Sequence, residues 1–265
     1  MTDDVLARFD EQVRRNIVPA PGWSVEHGFG GKVLRQLPPA ESHFGGYVSW
    51  TDLDESNADA AIAEQVQRFD PSGRRWEWKT YGYDRPDDLP DRLSRAGFVA
   101  EEMEALVVGE MADVVAATSG AQPPEGVVVR CAEGPDDYAR IAAVHGEVWG
   151  GDHGWLAVEL AAEKAGGPDA LEVLLAETVD GAEVVCAAWV RFEQGTDFAS
   201  LWGGSTLEGW RGRGIYRALV AQRAAMAAER GFRYLQVDAS PDSRPILERL
   251  GLRQLTTTTP FVRTP

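Results

Sequence analysis

The sequence predicts an α/β fold of the α+β kind divided between two domains, and three observations predict it. The chain has 265 residues, more than the roughly 100–200 of one typical domain. Stretches that read as strands alternate along it with stretches at helical spacing. The two halves also resemble each other, because one constant separation carries Gly97-Phe98 onto Gly251-Leu252, Asp84 onto Asp238 and Leu93 onto Leu247.

Behind Thr2 and Asp3, the residues Val5, Leu6, Phe9, Val13 and Ile17 recur at helical spacing and predict an amphipathic first helix that ends before Pro19 and Pro21. Strands are expected at 32–37 and 46–51, then a helix at 56–69. The run RRWEWKTYGYD reads as a strand ending at Asp84, followed by a helix at 89–96 and a strand at 104–108. Residues 111–126 are rich in Ala, Ser, Gly and Pro and read as a connection. The expected domains are therefore 1–115 and 127–265, with a linker at 116–126.

The second half opens with a strand at 127–131 and a helix at 135–148, where Pro135 suits a first helical turn. A glycine-rich loop at 150–154 leads into a helix through Lys164. Strands at 171–179 and 183–193 flank Asp180-Gly181, a hairpin signal. A strand at 198–207 then runs into a glycine-marked turn and a helix at 215–230. A strand at 232–238, a helix at 243–250 and a Thr-rich strand ending at Val262 complete the chain.

Only the stretch at 201–220, LWGGSTLEGWRGRGIYRALV, commits the sequence to a chemistry. Gly212 and Gly214 have no Cβ and can take positive φ, so successive backbone N–H groups can point at one phosphate. The helix start adds the positive end of its dipole, and Arg211 and Arg213 supply planar donors suited to phosphate oxygens. A pyrophosphate suits this loop. A dinucleotide G-x-G-x-x-G fingerprint is not met, because Arg217 stands where the third glycine belongs. A Walker loop needs a lysine after its last glycine, and Ile215 stands there. A surface turn without a ligand is the bland alternative.

The run Arg211-Gly212-Arg213-Gly214-Ile215-Tyr216 resembles the Arg/Gln-x-x-Gly-x-Gly/Ala signature of the GNAT superfamily of acyl-CoA N-acyltransferases, with Tyr216 in the last small-residue position. The element order of the second half, β-α-α-β-β-β-α-β-α-β, is also that of a GNAT domain. The resemblance implies two GNAT-like domains, each a mixed, mostly antiparallel sheet flanked by helices. It implies that acetyl-CoA, a co-substrate, binds the second domain through Arg211, Gly212, Arg213, Gly214, Ile215 and Tyr216. It further implies that Gly204, Ser205 and Thr206 lie on a strand that splays from its neighbour and bonds the pantetheine and thioester carbonyl; Gly203-Gly204 inside a strand also reads as a bulge. In the first half the repeat places Asn57, Ala58, Asp59 and Ala60 against the loop, behind Asp54 and Glu55. Those carboxylates repel a pyrophosphate, so the first half resembles a degenerate domain with a structural, dimer-forming or acceptor-shaping role.

Acyl transfer to an amine needs a neutral amine, a polarised thioester carbonyl and a proton for the departing thiolate. Many members of the family carry a tyrosine four residues before the last Gly-Phe pair; here Leu247 stands there, and Ser240 replaces the usual upstream asparagine. Candidate bases are His153, whose ordinary pKa lies near 6.5, and Glu193. Trp149, Asp152 and Trp202 are candidate acceptor-binding residues, with Trp155 beside them; an exposed loop histidine and plain core tryptophans are the competing readings. Two of the threonines at 256–259 are expected on the acceptor side, with ordinary β-propensity as the alternative.

Composition bounds the partners. A net charge of −16 argues against nucleic acid and anionic membrane surfaces; it suits a cationic acceptor and equally suits simple solubility. Cys131 and Cys186 lie far apart among apolar neighbours and read as structural thiols, and the four histidines form no metal motif. No secretory h-region opens the chain and no run of about 18 apolar residues occurs, which leads to an expected cytoplasmic location. The resulting expectation is an N-acetyltransferase acting on a primary amine of a small molecule, with a possible homodimer. A non-catalytic acyl-CoA-binding protein and a protein N-acetyltransferase are the alternatives.

Overall fold

The computed structural model describes residues 2–265. In chain order the elements are α1 (Thr2–Phe9), β1 (Ser24–Gly28), β2 (Val33–Leu37), β3 (Tyr47–Thr51), α2 (Ala58–Phe69), β4 (Trp76–Tyr81), α3 (Leu89–Arg95), β5 (Val99–Ala100), β6 (Glu104–Glu110) and α4 (Met111–Thr118). There follow β7 (Val127–Cys131), α5 (Pro135–Trp149), α6 (Gly154–Gly166), β8 (Leu171–Thr178), β9 (Val184–Phe192), β10 (Phe198–Thr206), α7 (Ile215–Glu229), β11 (Tyr234–Ala239), α8 (Arg244–Arg249) and β12 (Arg253–Arg263). The fold is α/β, with mixed, mostly antiparallel sheet flanked by helices. Two compact units form: one from Met1–Val107, Asp238–Pro245 and Gln254–Pro265, the other from Val108–Val237 and Ile246–Arg253.

In the first unit the strand order is β1-β2-β3-β4-β12, antiparallel throughout except for β3 and β4. Alternation along β4 buries Trp76, Trp78 and Thr80 on one face. There the two tryptophans join Ile62 and Phe69 of α2 and Leu89 and Leu93 of α3. The other face carries Lys79, whose Nζ sits 2.6 Å from Asp238 Oδ2. Glu104, close to this pair, is pushed up to about 7 by burial, against the pull of Lys79.

The parallel pairing of β3 with β4 covers only Tyr47 with Glu77 and Val48 with Trp78. Beyond it, Arg14 enters from the N-terminal helix: its Nε donates to Ser49 O at 3.2 Å and its Cζ lies 3.7 Å from the centroid of Tyr81. Its two terminal nitrogens reach Asp84 at 3.0 and 3.1 Å, and Nη1 also donates to Tyr83 Oη at 2.8 Å. The buried residues of this helix are Phe9 and Arg14, five apart, whereas the sequence spacing predicts Val13 and Ile17 on the packed face. The cause is the π-helical turn Asp10–Arg15 that follows α1 and shifts the face by one residue.

In the second unit the order is β11-β10-β9-β8-β7, with β10 and β11 parallel. Period-two alternation sends Val173, Leu175, Ala187 and Trp189 to α5 and α6, and Leu174, Ala176, Cys186 and Ala188 to Ile215 and Leu219 of α7. Each fully buried Leu or Ile here contributes about 1.5–3 kcal/mol.

Three sequence expectations are corrected. The expected linker at 116–126 begins inside α4, whose Val114 is fully buried; its Ala and Val content suits a packed helix. The strand expected to end at Asp84 stops at Tyr81, because Asp84 accepts the Tyr81 N–H at 2.9 Å and returns its own N–H to Tyr81 O, closing a turn. The Thr-rich strand β12 belongs, from Gln254 on, to the first unit. There it pairs with β4 from Thr258–Tyr81 to Arg263–Trp76.

Candidate active site

Strand β10 carries the site because it loses regular partners on both sides. Its parallel pairing with β11 covers Phe198, Ala199 and Ser200 only. On the other side, the register with β9 breaks between Trp202 and Ser205, where Gly203 and Gly204 form a bulge. Gly203 has φ +65°, and a Cβ there would meet the Trp189 ring; a Cβ at Gly204 would meet the Tyr216 ring. The two glycines thus admit one aromatic ring on each face of the sheet.

Beyond Thr206 the chain turns through Glu208–Trp210 into the predicted loop. Gly212 and Gly214 take φ +73° and +85°, and no atom lies within 4 Å of where their Cβ atoms would stand. Gly214 is the N-cap of α7, and no side chain caps that end, so the first N–H groups of the helix face open space. Arg211 Nε is held by Thr206 O at 3.1 Å, and Arg213 lies over the Trp210 ring at 4.7 Å. Both arginines are exposed, and neither forms an ion pair among the described residues. In a chain of net charge −16, two uncompensated guanidinium groups beside free helix N–H groups make a local anion site. Ile215 is buried and anchors the helix start.

On the α5 side of the bulge stands His145, which the sequence reading missed. Its Nε2 lies 3.1 Å from Gly203 O, so that nitrogen carries the proton and Nδ1 is the free base. Ser205 Oγ sits 3.2 Å from Nε2 and 3.5 Å from Nδ1, and accepts the Trp149 Nε1 proton at 2.8 Å. Burial pushes the His145 imidazole down to about 4, with the Gly203 carbonyl opposing. The signal in the sequence was the pair His145 and Trp149, four apart on one helix face.

A stability consequence follows from that burial. The folded state holds His145 neutral while the unfolded chain protonates near 6.5, so stability is lost as pH falls from about 6.5 to about 4, by about 3 kcal/mol. Chemical denaturation at pH 7 and pH 4 should show this loss in the wild type and a smaller one in His145→Gln.

The predicted site residues fall into four groups. Gly204, Ser205, Thr206, Arg211, Gly212, Arg213, Gly214, Ile215 and Tyr216 lie on β10, the loop and the first turn of α7. His153, with its ring 6.1 Å from His145, bonds the Gly150 carbonyl at 3.0 Å; Asp152 Oδ1 accepts the Gly154 N–H at 2.8 Å in the turn before α6. Trp149 and Trp202 are 62% and 42% exposed, against the competing reading of plain core tryptophans. Glu193 lies apart from the other predicted residues. It sits at the hairpin end of β10, opposite the loop, where Oε1 takes the Ser200 hydroxyl at 2.5 Å; burial raises its carboxyl. Cys186 is buried and Cys131 half-buried, both free. Among the described residues no three side chains gather to hold a metal, and no helix is long and apolar enough to cross a membrane.

No family model matches the sequence, and no curated protein matches it. Solved structures do match the fold. A GCN5-related N-acetyltransferase from Kribbella flavida aligns over 100% of this chain and 94% of its own, at 15% identity and TM-score 0.65. A tandem GNAT protein from the clavulanic acid biosynthesis pathway aligns over 94% and 85%, at 12% identity and TM-score 0.60. A GCN5-related N-acetyltransferase from Sphaerobacter thermophilus aligns over 88% and 80%, at 13% identity and TM-score 0.55. With β10 parted from β11 ahead of a glycine loop and helix, and with these likenesses along nearly the whole chain, the fold is that of the GNAT superfamily.

Proposed function

We propose that the chain is an acyl-CoA-dependent N-acetyltransferase that uses acetyl-CoA and acts on a primary amine of a small molecule by direct attack. The observation that carries this reading is the run from the parted strand β10 into a loop whose two αL glycines leave a cradle that Cβ atoms would fill. The cradle suits a pyrophosphate, and Arg211 and Arg213 supply its counter-charge. Bound there, acetyl-CoA supplies the activated acyl group.

The other residues fit roles in that chemistry. His145, held neutral with its ring edge against Ser205 Oγ, is placed to take the acceptor's proton through the Ser205 hydroxyl; His153 stands behind it. Trp149 and Trp202 offer exposed indoles for the acceptor's carbon skeleton, with Asp152 at the rim. The first unit supports the reading of a single site. Arg14 fills the space beside β3 that the parted strands would leave. At the start of α2, Asp54 Oδ1 already takes the Ser56 N–H at 2.9 Å, so a carboxylate occupies the position an anion would need.

Leu247, fully buried where the family resemblance implies a tyrosine, favours a second reading, a non-catalytic acyl-CoA-binding protein. Calorimetric titration of acetyl-CoA tests the first claim, with one site per chain expected and no binding overturning both readings. Release of CoA thiol with a panel of small primary amines, but not with peptide N-termini, separates the small-molecule enzyme from the binding protein and from a protein acetyltransferase.

A further inference from the structure

Arg223, on the third turn of α7, is 1% exposed and has no carboxylate partner among the described residues. The titratable groups around it are Tyr216 and Cys186, both raised by burial and uncharged at neutral pH, so neither balances the guanidinium. Its Nε donates to Leu219 O at 3.1 Å, one turn back on its own helix, and its Nη1 to Trp189 O at 3.1 Å and Trp202 O at 3.3 Å. Nη2 is buried without a hydrogen bond. A guanidinium taken out of water destabilises a fold unless it is well paired, and an apolar side chain of similar volume carries no such penalty. Packing alone therefore does not account for an arginine here.

Trp189 and Trp202 are cross-strand partners, the last regular pair of β9 and β10 before the register breaks at Gly203 and Gly204. Arg223 grips both strands at that point from the α7 face. From the α5 face, His145 Nε2 donates to the next carbonyl, Gly203 O, at 3.1 Å. Two successive carbonyls of β10 are thus taken by side chains on opposite faces of the sheet. The backbone alone does not impose this. Adjacent glycines are highly permissive, and a bulge built on them keeps one shape only where its surroundings over-determine it. The contact with Leu219 O ties the guanidinium to α7, whose N-cap is Gly214 of the anion loop. The helix from Gly214 to Arg223 is a rigid spacer of about 13 Å.

We propose that Arg223 is a positioning residue for acyl transfer: by holding the Trp189 and Trp202 carbonyls it sets the shape of the Gly203-Gly204 bulge, keeps Gly203 O on His145, and fixes the bulge at a set distance from the anion loop. The inference rests on the acyl-CoA reading of the site. It gives the buried charge a task that an apolar side chain cannot perform, since a planar fork with several donors reaches its own helix and two strands at once. The tautomer of His145, with the proton on Nε2 and Nδ1 free, then depends on a residue from the helix on the other side of the sheet.

The test uses the full chain and needs no acceptor. Arg223→Met, Arg223→Gln and Arg223→Lys are compared with wild type by long-range nitrogen–proton NMR of the histidine rings, with His145→Gln assigning the signal. Calorimetric titrations of acetyl-CoA and of ADP, which carries the pyrophosphate without the acyl arm, are run alongside. In the wild type His145 should show the Nε2–H tautomer alone. In Arg223→Met that signal should give way to a mixture of tautomers, acetyl-CoA should bind about tenfold more weakly, a step of about 1.4 kcal/mol, and ADP should bind within about twofold of wild type. If Arg223→Met does not fold, Arg223→Gln, which keeps one amide donor group in place of the fork, carries the same comparison. Arg223→Lys, with donors for both strand carbonyls, should restore the single tautomer. An unchanged tautomer with an unchanged ratio of acetyl-CoA to ADP affinity overturns the proposal and leaves the acyl-CoA reading standing. Equal losses for acetyl-CoA and ADP overturn it as well, because the effect would then not be on the bulge. Failure of the wild type to bind acetyl-CoA overturns that reading and this inference with it.

Discussion

Replacing Gly214 by Asp abolishes acetyl-CoA binding, with a loss of affinity of at least a hundredfold, about 2.7 kcal/mol, while the protein stays folded. Two effects act together. At φ +85° a non-glycine residue carries a backbone penalty of about 1–2 kcal/mol, which Asp tolerates better than most. The new side chain enters open space, so it makes no clash, but it brings a carboxylate to the N-cap of α7 and can take the very N–H groups a phosphate would use. A helix better capped and a site worse at binding is the expected pair of outcomes. Calorimetry with acetyl-CoA, alongside a melting curve, reads both. Unchanged affinity would show that the anion loop is not where the co-substrate sits. Arg211→Ala, which removes one charge and its anchor on Thr206 O, should weaken binding by about tenfold, a step of about 1.4 kcal/mol.

Arg14→Ala lowers the stability of the first unit by about 3–5 kcal/mol, the cost of leaving a buried charge unpaired. The substitution strips Asp84 and Asp10 of a shared partner, frees Ser49 O and removes the cation from the Tyr81 ring. The effect depends on pH with a definite sign. Burial already raises the Asp84 carboxyl, with Arg14 as the largest opposing influence. Without Arg14 the folded form favours a protonated Asp84 further, so stability is present at low pH and lost as pH rises. Denaturation of wild type and variant should therefore differ more at pH 7 than at acid pH. A difference that is flat with pH would mean that Asp84 does not carry the deficit.

The two results concern parts of the chain that differed in how far they could be read from sequence. The loop at 211–216 was legible because its geometry is local: αL glycines and a helix start leave their mark within six residues. Gly203-Gly204 was legible as a bulge for the same reason, and Asp54 as a carboxylate at the start of α2. Arg14 was not, because its partners Ser49, Tyr83 and Asp84 are distant in sequence and the π-helical turn that aims it leaves no mark in the residue pattern. His145 was passed over as one histidine on an apolar helix face; only the bulge carbonyl and Ser205 give it a role. Glu193 has the chemistry of a base, but its place at the hairpin end depends on which end of β10 the loop occupies, which no local pattern carries. The boundary between domains was the least legible feature, because β12 follows the second unit's elements in sequence and pairs with a strand of the first.

That last pairing has a consequence for synthesis. β4 obtains its β12 neighbour, including the Arg263 guanidinium that takes both oxygens of Asp70 at 2.8–3.0 Å, only after the second unit's strands β7–β11 have been made. The first unit can collapse early around its tryptophans, but β4 keeps an open edge until residues 258–263 have been made. A growing chain of this kind presents its N-terminal half to chaperones for the whole time the C-terminal half is being made. A chain cut short at residue 253 would lose a strand from the unit that was made first.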